Sequence, residues 1–161
     1  MADKKIIWQN SARTFSENLG YDTLHLDPVG TLLVCHSSKG ICYLGILNKE
    51  NPITKTLEKI QLRWPLCNLQ KEIFSGTFKN SLESTLNLKM GIIDNPKPLE
   101  DSDEESLDLH LIARPFEKSV WLQLLRIPAG QTCSYGQIAQ LVKNPRASRA
   151  VGNAVGNNPV S

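Results

Sequence analysis

The stretch TCSYGQIAQLVKNPRASRAVGNAVGNN, residues Thr132–Asn158, decides how the rest of the chain is interpreted. It predicts two short helices joined by a tight turn. Ser134 is a favourable N-cap for the first helix, whose apolar residues recur at helical spacing. Asn144 is expected to cap the second helix, with Pro145 at the first helical position, where a missing N–H costs nothing. The pattern is that of a helix-turn-helix.

The predicted second helix is unusually poor in bulky side chains. A helix that reads the major groove normally carries long polar side chains toward the base edges. A helix of small residues approaches a narrow groove closely and leaves Arg149 as the one long residue that reaches in. The alternative is that the small residues allow close packing against a neighbouring helix, and their pattern alone does not decide between the two. These small residues are Ala147, Ser148, Ala150, Gly152, Ala154 and Gly156.

The run over residues 116–160 resembles the methylated-DNA–protein-cysteine methyltransferases, which are O6-alkylguanine-DNA alkyltransferases. Its components are a Phe-x-x-x-Val-Trp helix, an Ile-Pro-x-Gly-x-Thr turn, Ser-Tyr-Gly-x-Ile-Ala, Arg-Ala-Val-Gly and Asn-Pro, in this order. The resemblance implies DNA repair by direct transfer of an alkyl group from O6-alkylguanine, or O4-alkylthymine, to a protein cysteine. It also implies a base-flipping protein that binds double-stranded DNA through the minor groove.

The resemblance assigns roles to individual residues. Tyr135 would lie near the 3′ phosphate of the target nucleotide and help to rotate it out, and Val155 would line the base pocket with it. Arg149 would intercalate and fill the vacated stack. Asn158 would order the turn that carries the nucleophile. Further DNA contacts are expected from Ser134, Asn144, Arg146, Ala150 and Gly152.

The family pattern continues after Asn-Pro into Pro-Cys-His-Arg, which contains the acceptor cysteine and the histidine that activates it. This sequence stops at Ser161 before that motif, and none of its four cysteines has a matching context. We therefore expect a C-terminally truncated, inactive fragment. Apolar surface around Trp121 and Val155 is expected to be left partly uncovered.

The charge is unevenly distributed along the chain. The formal net charge is +2, but the sequence from Phe116 onward contains five basic residues and one acidic residue, Glu117. Such a basic region suits contact with phosphates, or it forms an ordinary solvated surface. No signal peptide or membrane-spanning stretch is found. The cysteines lack CxxC spacing and are typical of a cytosolic protein, or of a nuclear one in a eukaryote. The protein is expected to be a monomer and to need no cofactor. His25, His36 and His110 show no metal-ligand spacing with Cys35 or Cys42.

The predicted fold class is α+β. An RNase H-like antiparallel sheet with helices is expected over residues 21–95, after a loose lead-in at 1–20. An acidic linker with a candidate strand at 107–112 would span 96–113, and a winged-helix or helix-turn-helix-like DNA-binding domain would span 114–161. Within the first domain, Asn51-Pro52 is expected to start a helix that ends near Trp64-Pro65. Shorter helices are expected around Leu69–Phe74 and Leu82–Leu88.

Two other functional classes remain open. An alkyltransferase-like protein would bind alkylated DNA without repairing it, and its discriminating residue would lie beyond Ser161. The apparent N-terminal domain favours the enzyme. A winged-helix transcription regulator would use an ordinary major-groove helix, and the Ala and Gly content of residues 147–156 argues against it.

Overall fold

A computed structural model describes residues 6–10, 13–90, 108–128 and 130–160. Its strands are β1 (Ile6–Asn10), β2 (Asn18–Leu26), β3 (Gly30–Ser37), β4 (Gly40–Ile46), β5 (Asn68–Lys71) and β6 (Leu109–Ala113). Its helices are α1 (Ile53–Arg63), α2 (Gly76–Met90), α3 (Pro115–Leu124), α4 (Tyr135–Leu141) and α5 (Ser148–Gly156). The chain is therefore α+β, with a sheet followed by a helical C-terminal region.

The six strands form one mixed sheet in the order β1-β6-β4-β3-β2-β5. The expected antiparallel arrangement holds for β2, β3 and β4. The other pairings are parallel: β5 joins β2, and β6 joins both β1 and β4. The prediction of a purely antiparallel sheet was wrong, because β1, β5 and β6 lie far along the chain from the strands they join in parallel. The three antiparallel strands β2, β3 and β4 form a meander.

The meander separates two apolar layers. On β3, Leu33 and Cys35 pack in the layer that contains Ile60 and Trp64 at the end of α1. Their neighbours Leu32 and Val34 belong to the other layer, with Leu82 of α2. This alternation follows from the two-residue period of a strand, and it places a helix on each face.

The C-terminal helices pack against the β1–β6 edge of the sheet. Leu111 and Ala113 of β6 lie in one buried cluster with Val120 and Trp121 of α3, and Trp8 of β1 packs against it. The same cluster includes Ile138, Ala139, Val151 and Ala154. Helices α4 and α5 are thus mounted on the sheet through α3 and β6. None of the described helices is long and apolar enough to cross a membrane.

Several expectations about the elements need correction. Residues 6–10 of the supposed loose lead-in form β1, whose partner β6 lies about a hundred positions away. The helix expected around Leu69–Phe74 is replaced by β5, a short strand whose backbone pairs with the start of β2. Helix α1 begins at Ile53 after Pro52, one residue later than the Asn51 cap implied. The helix expected near Leu82 is confirmed by α2, and the candidate strand at 107–112 is confirmed by β6, which runs from Leu109 to Ala113. The acidic run of residues 100–105 lies outside the described residues.

Candidate nucleic-acid interface

Helix α4 begins as the sequence predicts. The Ser134 hydroxyl accepts a hydrogen bond from the Gln137 backbone N–H at 3.2 Å, and the Gln137 side chain accepts one from the Ser134 N–H at 2.8 Å. This reciprocal capping box fixes the direction of the helix. It places Tyr135 at the first helical position with half of its surface exposed.

The turn between α4 and α5 differs from the prediction. The Lys143 N–H donates to the Gln140 carbonyl and the Asn144 N–H donates to the Ala139 carbonyl, both at 2.9 Å. Lys143 has a φ of 58°, so the turn has the hydrogen bonds and the left-handed residue of a Schellman C-cap. The prediction that Asn144 caps the second helix was wrong, because Asn144 and Pro145 complete this turn.

Helix α5 instead begins at Ser148, with Ala147 at the N-cap and no side-chain cap. The Asn144 carbonyl accepts a hydrogen bond from the Ala147 N–H at 2.9 Å, which adds a separate turn before the helix. Asn144 and Arg146 are exposed in this connection. Arg149 therefore lies in the first turn of α5.

The small residues of α5 lie on both its buried face and its exposed face. Ala154 is buried, whereas Arg149 and Ala150 are exposed. A Cβ added at Gly152 would approach the ring of Tyr135 to 3.1 Å, so the glycine allows the aromatic ring to lie against the helix. Close packing is thus seen at Gly152 and Ala154, while the exposed face keeps Arg149 as its long side chain.

A buried hydrogen bond joins α3 to α5. The indole N–H of Trp121 donates to the Ala154 carbonyl at 2.7 Å. Trp121 is only 2% exposed, so the apolar surface that was expected to be partly uncovered does not include this residue. The indole is covered from within the domain, since α5 packs over it, and Val155 remains half-buried.

Three exposed cations lie in α5 or in the turn before it. Lys143, Arg146 and Arg149 make no side-chain hydrogen bond or ion pair within the part of the chain that the structure describes. The acid of this region, Glu117, is buried and paired with Arg114 at 2.9 Å. The surface that bears Tyr135 and Arg149 therefore offers positive charge to an external anion.

The segment after α5 is anchored to the sheet. The Asn158 side-chain oxygen accepts a hydrogen bond from the Val160 N–H at 3.2 Å, and the Pro159 carbonyl accepts one from Leu44 of β4 at 2.8 Å. Asn158 thus orders the turn at residues 158–160. Arg63 of α1 adds a second tie to the rest of the fold by donating to the Asn157 carbonyl at 2.7 Å.

A cleft of about 1210 Å³ opens beside this segment, between α1, β4 and α3. Residues 156–159 line it, but Tyr135 and Val155 do not, so the structure does not bring the two expected pocket residues together there. Glu117 lies in its wall and bonds to Arg114 and Asn157. Burial alone would raise the pKa of Glu117, but the hydrogen bonds from Arg114 and the charges of Arg114 and Arg63 hold it below its ordinary value.

Sequence reasoning missed the network of Arg63, Glu117 and Asn157, because it depends on contact between three distant elements. Glu117 carried the available signal: it is a lone acid in an apolar helix of a basic region. Arg63 lies between Trp64 and Trp121, 5.6 and 6.0 Å from the two ring centroids. The network ties the end of α5 to the sheet domain.

The cysteines differ in their surroundings. Cys35, Cys42 and Cys67 are buried, and burial raises the pKa of all three thiols, to about 12 for Cys35. Cys133 is partly exposed immediately before α4. Because a thiolate is the nucleophile, the three buried thiols are unsuited to alkyl transfer at neutral pH.

The histidines are engaged within the fold. His25 contacts Thr31 and Asp27, and His36 contacts Glu72 at 3.1 Å. His110 is fully buried and bonds to Ser37 at 2.7 Å and Gln9 at 3.0 Å, and burial lowers its pKa. Among the described residues, no cluster of three or more His, Cys, Asp or Glu side chains is arranged to hold a metal ion.

Comparison with known proteins assigns the family. Residues 115–161 match the 6-O-methylguanine DNA methyltransferase, DNA binding domain family. A probable methylated-DNA–protein-cysteine methyltransferase of Acanthamoeba polyphaga mimivirus is 50% identical over 56 residues, which cover 35% of this chain and 38% of the viral protein. The methylated-DNA–protein-cysteine methyltransferase of Methanosarcina mazei is 31% identical over 134 residues, which cover 83% of this chain and 72% of the relative.

The fold is also found in a solved structure. The crystal structure of Mycobacterium tuberculosis OGT in complex with DNA superposes with a TM-score of 0.54 at 23% identity, covering 89% of this chain and 72% of that one. This likeness concerns the fold. Together with the extended match to the Methanosarcina mazei protein, the comparisons show that the chain belongs to the methylated-DNA–protein-cysteine methyltransferase family.

Proposed function

We propose that this chain binds duplex DNA containing O6-alkylguanine or O4-alkylthymine, as a monomer, with α4, the turn and α5 acting as a helix-turn-helix. In this proposal the mixed sheet is an RNase H-like domain that supports the DNA-binding domain. The observation that carries it is the unpaired, exposed Arg149 on a small-residue helix, within the segment that matches the family's DNA-binding domain.

The shape of α5 supports entry into the minor groove. That groove is about 6 Å wide, roughly half the width of the major groove, so a helix must have a low profile to approach its floor. Ala150 provides that profile on the exposed side of the helix, Gly152 receives the ring of Tyr135, and Arg149 projects from the same helix. We assign to Arg149 the task of filling the stack when the target base rotates out, which costs a few kcal/mol of unstacking.

Tyr135 is suited to the phosphate beside the rotated nucleotide. Its ring lies against Gly152, so it belongs to the same surface as α5, and half of it remains exposed to a ligand. Ser134, Asn144 and Arg146 flank this surface and would contact the DNA backbone. The proposed interface therefore combines one intercalating residue with positioning contacts that carry no sequence information.

The transfer step needs a thiolate and a base close to the flipped guanine. The three buried thiols do not meet this need, and Cys133 has no histidine among its hydrogen-bond partners. We propose that residues 1–161 bind and extrude the base, and that alkyl transfer requires the family's Pro-Cys-His-Arg motif, which these residues do not contain.

The surroundings of the cysteines also favour a second candidate, a protein that recognises alkylated DNA without repairing it. The two candidates are separated by appending a segment with the Pro-Cys-His-Arg motif after Ser161. If the chain is the DNA-binding part of an enzyme, the extended protein acquires methyl groups from O6-methylguanine. If it is a recognition protein, its geometry holds the alkylated base away from the added cysteine, and the extended protein binds the lesion but remains unmethylated.

The proposed function is tested with the polypeptide of residues 1–161 and a short duplex containing one O6-methylguanine. Fluorescence anisotropy should show binding that weakens with salt and is displaced by a minor-groove drug such as netropsin. Intact-mass analysis should show no added methyl group. Stoichiometric methylation of Cys133 or Cys67, or displacement only by a major-groove ligand, would overturn the proposal.

A further inference from the structure

Lys143 occupies a backbone conformation that favours glycine. Its φ is 58°, and it is the one residue other than glycine with a positive φ in the described part of the chain. The two hydrogen bonds of the turn, from Lys143 to Gln140 and from Asn144 to Ala139, hold it there. A residue with a Cβ is less stable in this conformation than glycine, which is the usual residue at this position of a Schellman C-cap.

No contact within the described structure compensates for that cost. The Lys143 side chain is exposed and makes no hydrogen bond or ion pair there. Glu117, the one acid in the sequence from residue 116 onward, is buried and already bonded to Arg114 and Asn157. Arg146 and Arg149 add like charge to the same surface, so the ammonium group raises the local electrostatic repulsion in the free protein.

A strained backbone and an unpaired cation at one residue both favour an external anion as the reason for the lysine. The turn joins the two helices of the proposed DNA interface, and lysine contacts phosphate as a flexible point charge. We propose that Lys143 is a DNA phosphate-binding residue, and that this turn sacrifices folding stability for DNA affinity. This inference rests on the proposed function. It identifies one residue whose backbone conformation and whose charge are both unfavourable in the free protein.

Three substitutions separate conformation from charge. Lys143→Gly removes both the strain and the charge, Lys143→Gln removes the charge alone, and Lys143→Arg keeps both. Lys71→Gln removes an exposed cation from β5, at the far edge of the sheet, and is the matched control. Each variant is measured for its melting temperature and for duplex DNA affinity across a salt series.

We expect Lys143→Gly to raise the melting temperature by about 2–4 °C, the usual equivalent of 1 kcal/mol in a chain of this size. Both Lys143→Gly and Lys143→Gln should reduce the slope of log affinity against log salt by about 0.9 and weaken binding roughly tenfold at 50 mM salt. Lys143→Arg and Lys71→Gln should leave affinity and slope within error of the parent.

The outcomes distinguish this inference from the proposed function. If the parent chain shows no salt-dependent binding to DNA, the proposed function fails and the inference fails with it. If the parent binds but Lys143→Gln leaves the slope unchanged, the inference alone is overturned. A fall in melting temperature for Lys143→Gly would also overturn it, since the lysine would then stabilise the turn.

Discussion

The hydrogen bond between Trp121 and Ala154 predicts an unequal effect of the same substitution at two buried tryptophans. Trp121→Phe removes the donor and shrinks the ring. The backbone N–H groups at the end of α5 use other acceptors, since Asn157 donates to the Asn153 carbonyl and Asn158 donates to the Val155 carbonyl. The Ala154 carbonyl instead accepts its hydrogen bond from the indole of Trp121. An unpaired buried carbonyl costs about 1–3 kcal/mol, in addition to the lost packing.

Trp64 provides the matched control. It is fully buried, and its indole N–H has no hydrogen-bond partner among the described residues. Arg63 lies at a similar distance from both rings, so the cation–π contribution nearly cancels in the comparison. Trp64→Phe therefore loses packing alone, and we expect Trp121→Phe to lower the free energy of unfolding by about 1–3 kcal/mol more than Trp64→Phe does.

Urea unfolding followed by circular dichroism measures this difference. The two variants should have the same m-value and different midpoints, because neither substitution changes the surface exposed on unfolding appreciably. Equal midpoints, or a lower midpoint for Trp64→Phe, would show that the bond does not hold α5 against α3.

Three further predictions concern the interface and its support. Ser134→Ala should lower the free energy of unfolding by about 1 kcal/mol in urea unfolding through loss of the N-cap, and an unchanged value would contradict the capping box. Gly152→Ala should raise the free energy of unfolding by up to about 1 kcal/mol, because alanine has the higher helix propensity and the half-exposed ring of Tyr135 can move away from the new methyl group. A clear fall in the free energy of unfolding would show that the ring cannot move. The lowered pKa of Glu117 means that its ionised form contributes stability above its ordinary value of 4.5, which is lost as pH falls through the folded-state pKa. Thermal melts should therefore show a steeper loss of stability on acidification for the parent than for Glu117→Gln, and parallel pH profiles would contradict this.

Features governed by local signals were predictable from the sequence. The start of α4 follows from Ser134 and Gln137, which are close enough in sequence to cap the helix by themselves. The burial of both faces of β3 follows from its continuous apolar run, because successive side chains of a strand point to opposite faces. The family motif places Tyr135 and Arg149 on α4 and α5, where they are exposed.

Features that depend on distant contacts were not predictable. Strand β1 is defined by its pairing with β6, and a short apolar run without that partner resembles an ordinary terminal segment. The start of α5 was misplaced because a lysine gives no sign that it adopts the left-handed conformation at the preceding turn. Arg63 and Glu117 are ordinary charged residues of helices until α1, α3 and the end of α5 meet.

The role proposed for Arg149 is tested most directly by base extrusion, measured as the fluorescence of 2-aminopurine at the target position of a duplex saturated with protein. The parent chain should raise this fluorescence, because the extruded base loses its stacking neighbours. Arg146→Ala, which removes a neighbouring exposed cation, should bind more weakly but give the same fluorescence at saturation. Arg149→Ala should bind with less than about a tenfold loss of affinity and give no rise in fluorescence. A full rise with Arg149→Ala at saturation would contradict the assignment of Arg149 as the residue that fills the vacated stack.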